Sequence, residues 1–423
     1  MNRLWLVIII GIAMFGCASK QNGYSDTQLG CVTPERFGAK GDRVTDDTMA
    51  MQRAIDSLMP RGGTVLLSER YLVDSNNLVI KPNVTLFWRE GIIGNPGTGN
   101  NVSGEEYIAR GGQILLNPAY KIVMQGSSSI KGIMFWRKGL VIPEPNGASF
   151  AGTCIDIKGE DCYIGYSLLL GFHQGIMSQK QQRLRVEFVQ GDCTNGIWID
   201  GAYDIVTITN CHFWPFVSTG TGKGFGRDGV AYKFTGASDM TKVVNCFTYD
   251  HKIGFQAEHA AGMVFSFCNA DGTPLLDQEP PTTTMADSIG YDIKGYARGI
   301  RLIGCEAWGK RLGFRIEPQN TFNIGTEKYL PITMDACKTE LVVDGVKSNC
   351  DLMMNGCDIR GIGIKAEGHY GTGLEIVKGS NAQITGSRFI DWDIAIKRPA
   401  NGDIMIESTR YIDCNNQIVV DKE

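Results

Sequence analysis

Asp271 and Glu306 lie in two stretches of matching form, Phe267-Cys268-Asn269-Ala270-Asp271 and Gly304-Cys305-Glu306-Ala307-Trp308. Cleavage of a glycosidic bond needs such a pair: one carboxylic acid to protonate the leaving oxygen, one carboxylate to activate water or attack the sugar. Glu306, beside the apolar face of Trp308, is expected to keep its proton and serve as the acid. Asp271, next to Asn269 and Gly272, is expected to stay ionised as base or nucleophile. Trp214, Tyr249 and Trp308 recur at the same place in their stretches and offer flat faces to sugar C–H groups. Asn269, Asp358 and Arg360 offer hydrogen-bonding partners for hydroxyls or an acidic substituent.

A second chemistry is written at Tyr249-Asp250-His251-Lys252. An Asp–His pair beside a lysine suits proton abstraction next to a uronate carboxylate, with the cation holding the charge that develops. That is the chemistry of a polysaccharide lyase or a uronate C5-epimerase. His251 also fits a plain turn residue, and His173, His259 and His369 have only that reading. A third possibility needs no catalysis: a groove of rings and polar groups that binds glycan and leaves it intact. A solvated sheet face with incidental aromatics is the blandest alternative.

These residues are positioned by a repeat. Gly175-Ile176 recurs 21 residues later as Gly196-Ile197, with counterparts at Gly254-Phe255, Gly290-Tyr291, Gly313-Phe314, Gly363-Ile364 and Ala395-Ile396. A second marker ends in Cys211, Cys246, Cys268, Cys305 and Cys357, with Ser387 in the same role, and Cys246 and Cys268 are 22 residues apart. A short β period with glycine turns and tolerated insertions is a solenoid signature. In such a stack the cysteines point inward as small buried hydrophobes, mostly reduced, with disulfides as the alternative. Alternation then sends two files outward. The first is His212, Phe247, Asn269, Glu306, Asp358 and Arg388. The second is Trp214, Tyr249, Asp271, Trp308, Arg360 and Ile390. Segments 215–230, 272–288 and 318–338 read as insertions walling a groove on that side.

Upstream, Phe37-Gly38-Ala39-Lys40-Gly41-Asp42, Thr45-Asp46-Asp47-Thr48, Ala54-Ile55, Gly62-Gly63-Thr64-Val65 and Tyr71 follow one another in a fixed order. This resembles the N-terminal signature of the pectate lyase superfamily, shared with relatives of glycoside hydrolase family 28 and with phage tailspikes. It departs from that pattern at Ser68-Glu69-Arg70. The resemblance implies an all-β, single-stranded right-handed parallel β-helix of about 21–22 residues per coil with an N-terminal capping helix. Met51, Ile55 and Leu58 give that helix, near 48–58, one apolar face, and Asp46 and Asp47 read as its caps. Of the polygalacturonase motifs, Asn269-Ala270-Asp271-Gly272 resembles the first. Gly368-His369-Tyr370-Gly371 loosely echoes the third, late in the chain. No paired Asp-Asp lies between these two and no Arg-Ile-Lys is present, which argues against pectin hydrolysis while leaving the scaffold assignment intact.

The formal net charge of −4 over 423 residues argues against a general nucleic-acid binder. No Cys/His cluster has zinc spacing, so neither metal nor cofactor is expected. The opening MNRLWLVIIIGIAMFGC joins Arg3 to an apolar run too short for a comfortable membrane span. Its end resembles a bacterial lipobox, which implies cleavage before Cys17 and lipidation of its thiol. The expected division is a signal at 1–16, a lipidated tether at 17–31, a cap at 32–75 and the β-helix at 76–423. The sequence thus describes an exported lipoprotein, at the outer membrane or cell surface, that acts on a polysaccharide. Glycoside hydrolysis leads, lyase or epimerase chemistry follows, then binding alone. Related tailspikes are trimers; no stalk or heptad repeat appears, so monomer and homotrimer both stand.

Overall fold

The structure, a computed structural model, describes residues 30–88, 112–142, 144–219, 226–276, 282–283, 285–318, 331–362, 371–377 and 379–421. Cys17 and the whole leader lie outside these residues, as do Gly363-Ile364 and most of the Gly368–Gly371 echo.

A coil presents three strand faces, the second and third running on as one strand in some coils, as at Leu168–Gln179. One coil contributes Val264–Ser266, Asn269–Asp271 and Ile289–Gly295; the next contributes Arg301–Ile303, Glu306–Trp308 and Leu312–Pro318. The coil strands pair in parallel with their counterparts one coil on, as Val264 does with Arg301, Asn269 with Glu306 and Ile289 with Leu312. The chain is a right-handed parallel β-helix. Its three faces are called here the first, second and third sheets in chain order.

The repeat exists because alternate residues must fill a narrow interior. On the third sheet Tyr232, Phe255, Tyr291 and Phe314 stack ring on ring at 4.7, 4.9 and 4.7 Å, within 9° of parallel. Gly254 and Gly290 precede two of these rings. A Cβ on Gly254 would stand 2.7 Å from the Gly290 carbonyl oxygen, so this close approach of coils requires glycine. The cysteines line the turn into the second sheet. Cys211, Cys246, Cys268, Cys305 and Cys357 are buried, and the twelve described cysteines are all free. Thiols donate to carbonyls of the coil before, as Cys305 does to Phe265 at 3.4 Å and Cys357 to Met334 at 3.3 Å.

Cys337 belongs to the same ladder, which corrects the reading of 318–338 as one insertion. Ile332–Asp335 is a first-sheet strand paired with Arg301–Ile303 and Leu352–Asn355, and Lys338 opens a second-sheet strand. A complete coil therefore separates Glu306 from Asp358.

At the N-terminal end the helix Thr48–Ser57 covers the first coils. Met51, Ala54, Ile55 and Leu58 are buried beneath it. Gln52 exchanges two hydrogen bonds with the Val79 backbone, at 2.9 and 3.1 Å. Asp46 accepts from Thr48 N at 3.1 Å, as a cap should. Asp47 does not cap. Its carboxylate accepts from Lys40 N and Gly41 N at 2.6 and 3.1 Å, tying the preceding turn under the helix. Stacking already includes this segment: Cys31–Val32 pairs with Gly63–Leu66, which pairs with Val84–Phe87. Among the described residues no helix is long and apolar enough to cross a membrane.

Candidate active site

The second sheet carries the two outward files. Register pairs Tyr249 with Asp271 and Asp271 with Trp308 in one file, and Phe247 with Asn269 and Asn269 with Glu306 in the other. Trp214, Tyr249, Asn269, Asp271, Glu306 and Trp308 together line a cleft of about 370 Å³. The rings of Trp214 and Tyr249 lie 4.5 Å apart at one end of it. Asp271 and Glu306 stand one strand and two residues apart, so their Cα atoms are roughly 8 Å apart. That distance lets side-chain rotation reach either the retaining or the inverting separation of carboxyl groups.

The two carboxylates have unlike surroundings. Glu306 accepts from Lys338 Nζ at 3.1 Å and from Asn269 Nδ2 at 3.3 Å. Asp271 has one oxygen, Oδ1, buried without a hydrogen-bond partner among the described residues. Burial, and then the charge of Glu306 beside it, push the Asp271 carboxyl up to about 7. Asp271, expected to stay ionised, is thus a carboxyl whose proton affinity burial raises. Trp308 is the register partner of Asp271 on the next strand and stands two residues from Glu306 on its own.

The Asp250-His251-Lys252 constellation is not brought together. The chain turns at Asp250, whose φ of 51° is left-handed, and sends its neighbours to different sides. His251 is wholly buried inside the solenoid. Its Nδ1 lies 2.7 Å from the Thr248 hydroxyl and its Nε2 lies 3.0 Å from the Cys193 carbonyl. Burial holds its pKa well below the usual histidine range. Lys252 is at the surface, paired with Asp287 at 2.8 Å and Asp228 at 3.1 Å. The side chains of His251 and Lys252 therefore do not converge on one site.

Beneath the cleft lies a cluster that sequence reasoning missed. Asp250, Arg227 and Lys310 are 2 %, 1 % and 0 % exposed. Lys310 Nζ donates to the His251 carbonyl at 2.7 Å. Thr273 donates to Asp250 at 2.5 Å, and its hydroxyl also meets the Tyr249 hydroxyl at 2.9 Å. Arg227 pairs with Asp192 at 3.1 Å and donates to the Tyr249 carbonyl. Nothing in the local sequence marks Lys310 or Arg227 as interior, because charged residues are normally solvated.

The N-terminal end of the cleft is walled. Met134, Trp136, Phe150, Leu168, Leu170, Phe216 and Val217 form a second apolar cluster outside the solenoid, with Trp214 packed against it. Glu144–Pro145 and Ser218–Thr219 pair in parallel across this wall. Asp192 anchors it, accepting from Val217 N at 2.9 Å and from Ser218 N and Oγ at 2.8 Å. His212 sits edge-on to Phe247 at 4.7 Å behind Trp214, and burial brings its pKa down to about 4.

Beyond Trp308 the face becomes a ladder of ion pairs. Lys338 bridges Glu306 and Glu340, at 3.1 and 2.5 Å. Asp358 is paired with Arg388 at 2.5 Å, and Arg360 with Asp391 at 3.1 Å. Asp358 and Arg360 thus lie outside the cleft lining, two coils past Glu306 and Trp308, contrary to their placement with the substrate groups. Lys338 and Glu340 take the adjacent positions. The signal for them was present: Cys337 falls 20 residues before Cys357, close to one coil.

No protein-family model and no curated protein matches the chain. Solved structures do. A double mutant of the tailspike protein of E. coli bacteriophage HK620, in complex with pentasaccharide, superposes with a TM-score of 0.51 at 11% identity, covering 93% of this chain and 81% of that one. The Dettilon tailspike protein gives 0.46 at 12% identity, covering 92% and 69%. The catalytic unit of an alpha-1,3-glucanase from Streptomyces thermodiastaticus gives 0.49 at 13% identity, covering 90% and 68%. At 11% identity the likeness to the HK620 tailspike is one of fold, the parallel β-helix.

Proposed function

We propose that this protein hydrolyses a polysaccharide, with Asp271 as general acid and Glu306 as base or nucleophile. One observation carries the reading: a single cleft holds two carboxyl groups of unlike environment between the rings of Trp214, Tyr249 and Trp308. An acid poised near pH 7 can protonate a departing sugar oxygen and recover its proton from water at neutral pH. Glu306, tied to Lys338 and Asn269, is oriented to take a proton from an attacking water or to attack the anomeric carbon itself. The rings supply apolar faces for two or more sugar units, and one tailspike of this fold is seen with a pentasaccharide.

The leader supports a place for this chemistry. Arg3, the apolar run and Cys17 point to export and lipidation, so we assign the enzyme to the outside of a bacterial cell, held by its acyl chains. The test uses the chain from Ala18 onward with a panel of bacterial and plant polysaccharides. Hydrolysis releases reducing ends alone. A product absorbing in the ultraviolet would replace this reading by a lyase. Saturable binding with no new ends would replace it by a glycan-binding protein.

A further inference from the structure

We propose that the corner between the first and second sheets is a second glycan-binding surface. There Phe188 and Phe267 hold a further stretch of the polysaccharide that occupies the cleft. The inference rests on the polysaccharide reading of that cleft and adds to it a surface away from the two carboxyl groups.

Coil after coil, the chain leaves the first sheet through one residue with a left-handed backbone, just before the inward cysteine or its equivalent. The N–H of that residue donates to the coil that follows, as Phe188 N does to the Thr209 carbonyl at 3.0 Å and Phe267 N to the Ile303 carbonyl at 2.8 Å. Glycine suits the position, and Gly304, Gly356 and Gly386 take it with φ of 58°, 60° and 61°. Asparagine tolerates it, as at Asn210 and Asn245. Tyr166, Phe188 and Phe267 do not fit this rule: bulky rings are held there at φ of 51°, 51° and 52°, where such residues are strained. Burial does not offset the strain, because Phe188 and Phe267 are 44 % and 61 % exposed.

The rings frame a polar floor. Phe188 stacks on Tyr166 with centroids 4.9 Å apart, on the side towards the N-terminal coils. Phe267 lies over Gly304 on the opposite side, where a Cβ would meet two of its ring atoms at 2.8 Å. Between them stand Asn210 and Asn245, joined by one hydrogen bond of 2.7 Å from Asn245 Nδ2 to Asn210 Oδ1. That bond leaves Asn210 Nδ2 as a donor and Asn245 Oδ1 as an acceptor towards solvent. Phe188 and Phe267 are three coils apart, about 14 Å. Apolar platforms with amides between them match the alternating C–H faces and hydroxyls of a sugar chain, and a purely apolar partner would leave the amides unpaired. The surface also continues the cleft. Asn269, which lines the cleft, follows Phe267 by two residues, and Asn210 and Asn245 stand on the coils that carry Trp214 and Tyr249.

The test is affinity electrophoresis of the chain from Ala18 through gels holding each polysaccharide of the panel in turn, run in the cold. A polysaccharide that retards the wild-type chain should bind the Phe188→Gly, Phe267→Gly double variant about tenfold more weakly, a loss of roughly 1.4 kcal/mol. Asn245→Gly should weaken it severalfold. Glycine suits the corner, so these variants should melt close to the wild-type temperature or above it. Should loss of Phe188 disturb Tyr166 and the fold with it, Phe267→Gly alone decides the matter. Unchanged retardation in the folded double variant, or in Asn245→Gly, would overturn the proposal. So would weaker retardation joined to a melting temperature several degrees lower, because the rings would then be packing the corner. Retardation is read without turnover, which keeps this result apart from the hydrolase reading. A polysaccharide that is cleaved, yet held equally by wild type and double variant, ends the corner site and leaves the hydrolase standing. One that is held through the rings and never cleaved does the reverse. A panel in which nothing retards the wild-type chain would overturn the corner site.

Discussion

Asp271 is the register partner of Trp308 on the neighbouring strand of the cleft face. Glu306 shares its strand with Trp308 but points to it along the chain, two residues away, while Asp271 faces it across the ladder. Neighbours along a strand are about 6.6 Å apart on one face, whereas register partners are about 4.8 Å apart. A sequence shows the first kind of neighbour and hides the second.

The direct test of the pair is isosteric removal of each acid. Asp271→Asn and Glu306→Gln should each lower turnover by about 10²–10⁴-fold on a substrate found in the panel. Neither change should alter secondary structure by circular dichroism or weaken glycan affinity by more than about threefold. Turnover close to wild type in either variant would remove that residue from the mechanism.

Much of the fold was legible because it is written as a repeat. Gly254, Gly290 and Gly313 announce the close approach of coils, and Cys246, Cys268 and Cys305 announce the interior of the turn that precedes the cleft strands. The outward files followed by alternation, and six residues so found line one cleft. Legibility failed where the period was interrupted. The long segment before Ile332 hid the coil of Cys337, so Asp358 and Arg360 were counted one coil too near. It failed again where long side chains travel between coils. The reach of Lys310 beneath Gly272, and of Arg227 to Asp192, depends on the third dimension alone.

The raised proton affinity of Asp271 has a signature in stability. Burial pushes its folded-state pKa up to about 7 from the ordinary carboxylate value of 3.8. Between those values the folded chain holds a proton that the unfolded chain has released, so stability falls as pH rises through this window. Above pH 7 the cost is present in full; below pH 4 it is gone. Asp271→Asn removes it, so this variant should melt about 2–4 °C above wild type at pH 8. The difference should vanish towards pH 4. A variant less stable than wild type at pH 8 would show that the buried carboxylate is satisfied in a way its unpartnered Oδ1 does not indicate.

Thiol counting checks the ladder. Ten of the twelve free cysteines are buried, the exceptions being Cys31 and Cys414. In the absence of reductant, the chain from Ala18 should show at most two thiols reactive with Ellman's reagent while folded. All twelve should react once it is unfolded in guanidinium chloride. Each disulfide present would lower the unfolded count by two, so the number read under denaturing conditions distinguishes a reduced interior from a cross-linked one without ambiguity.

The wall at the N-terminal end of the cleft depends on one buried ion pair. Asp192 and Arg227 are both essentially unexposed, and each also bonds to other parts of the site. Asp192 holds Val217 and Ser218 through their backbone N–H groups, while Arg227 reaches the carbonyl of Tyr249. Removing one partner leaves the other charged in a low-dielectric space, a loss of about 3–5 kcal/mol. Asp192→Ala is therefore expected to be much less stable than wild type. Changing both residues, Asp192→Leu with Arg227→Met, spares the chain an unpaired charge and should recover most of that stability. The backbone N–H groups of Val217 and Ser218 would still lack their acceptor, so the wall itself should loosen. Trp214 packs on that wall and lines the cleft, which makes glycan affinity the informative readout. The double variant is expected to fold, to melt well above Asp192→Ala, and to bind glycan about tenfold more weakly than wild type, the loss of roughly 1.4 kcal/mol of ring contact. Wild-type affinity in the double variant would mean that Trp214 holds its position without the Asp192 anchor.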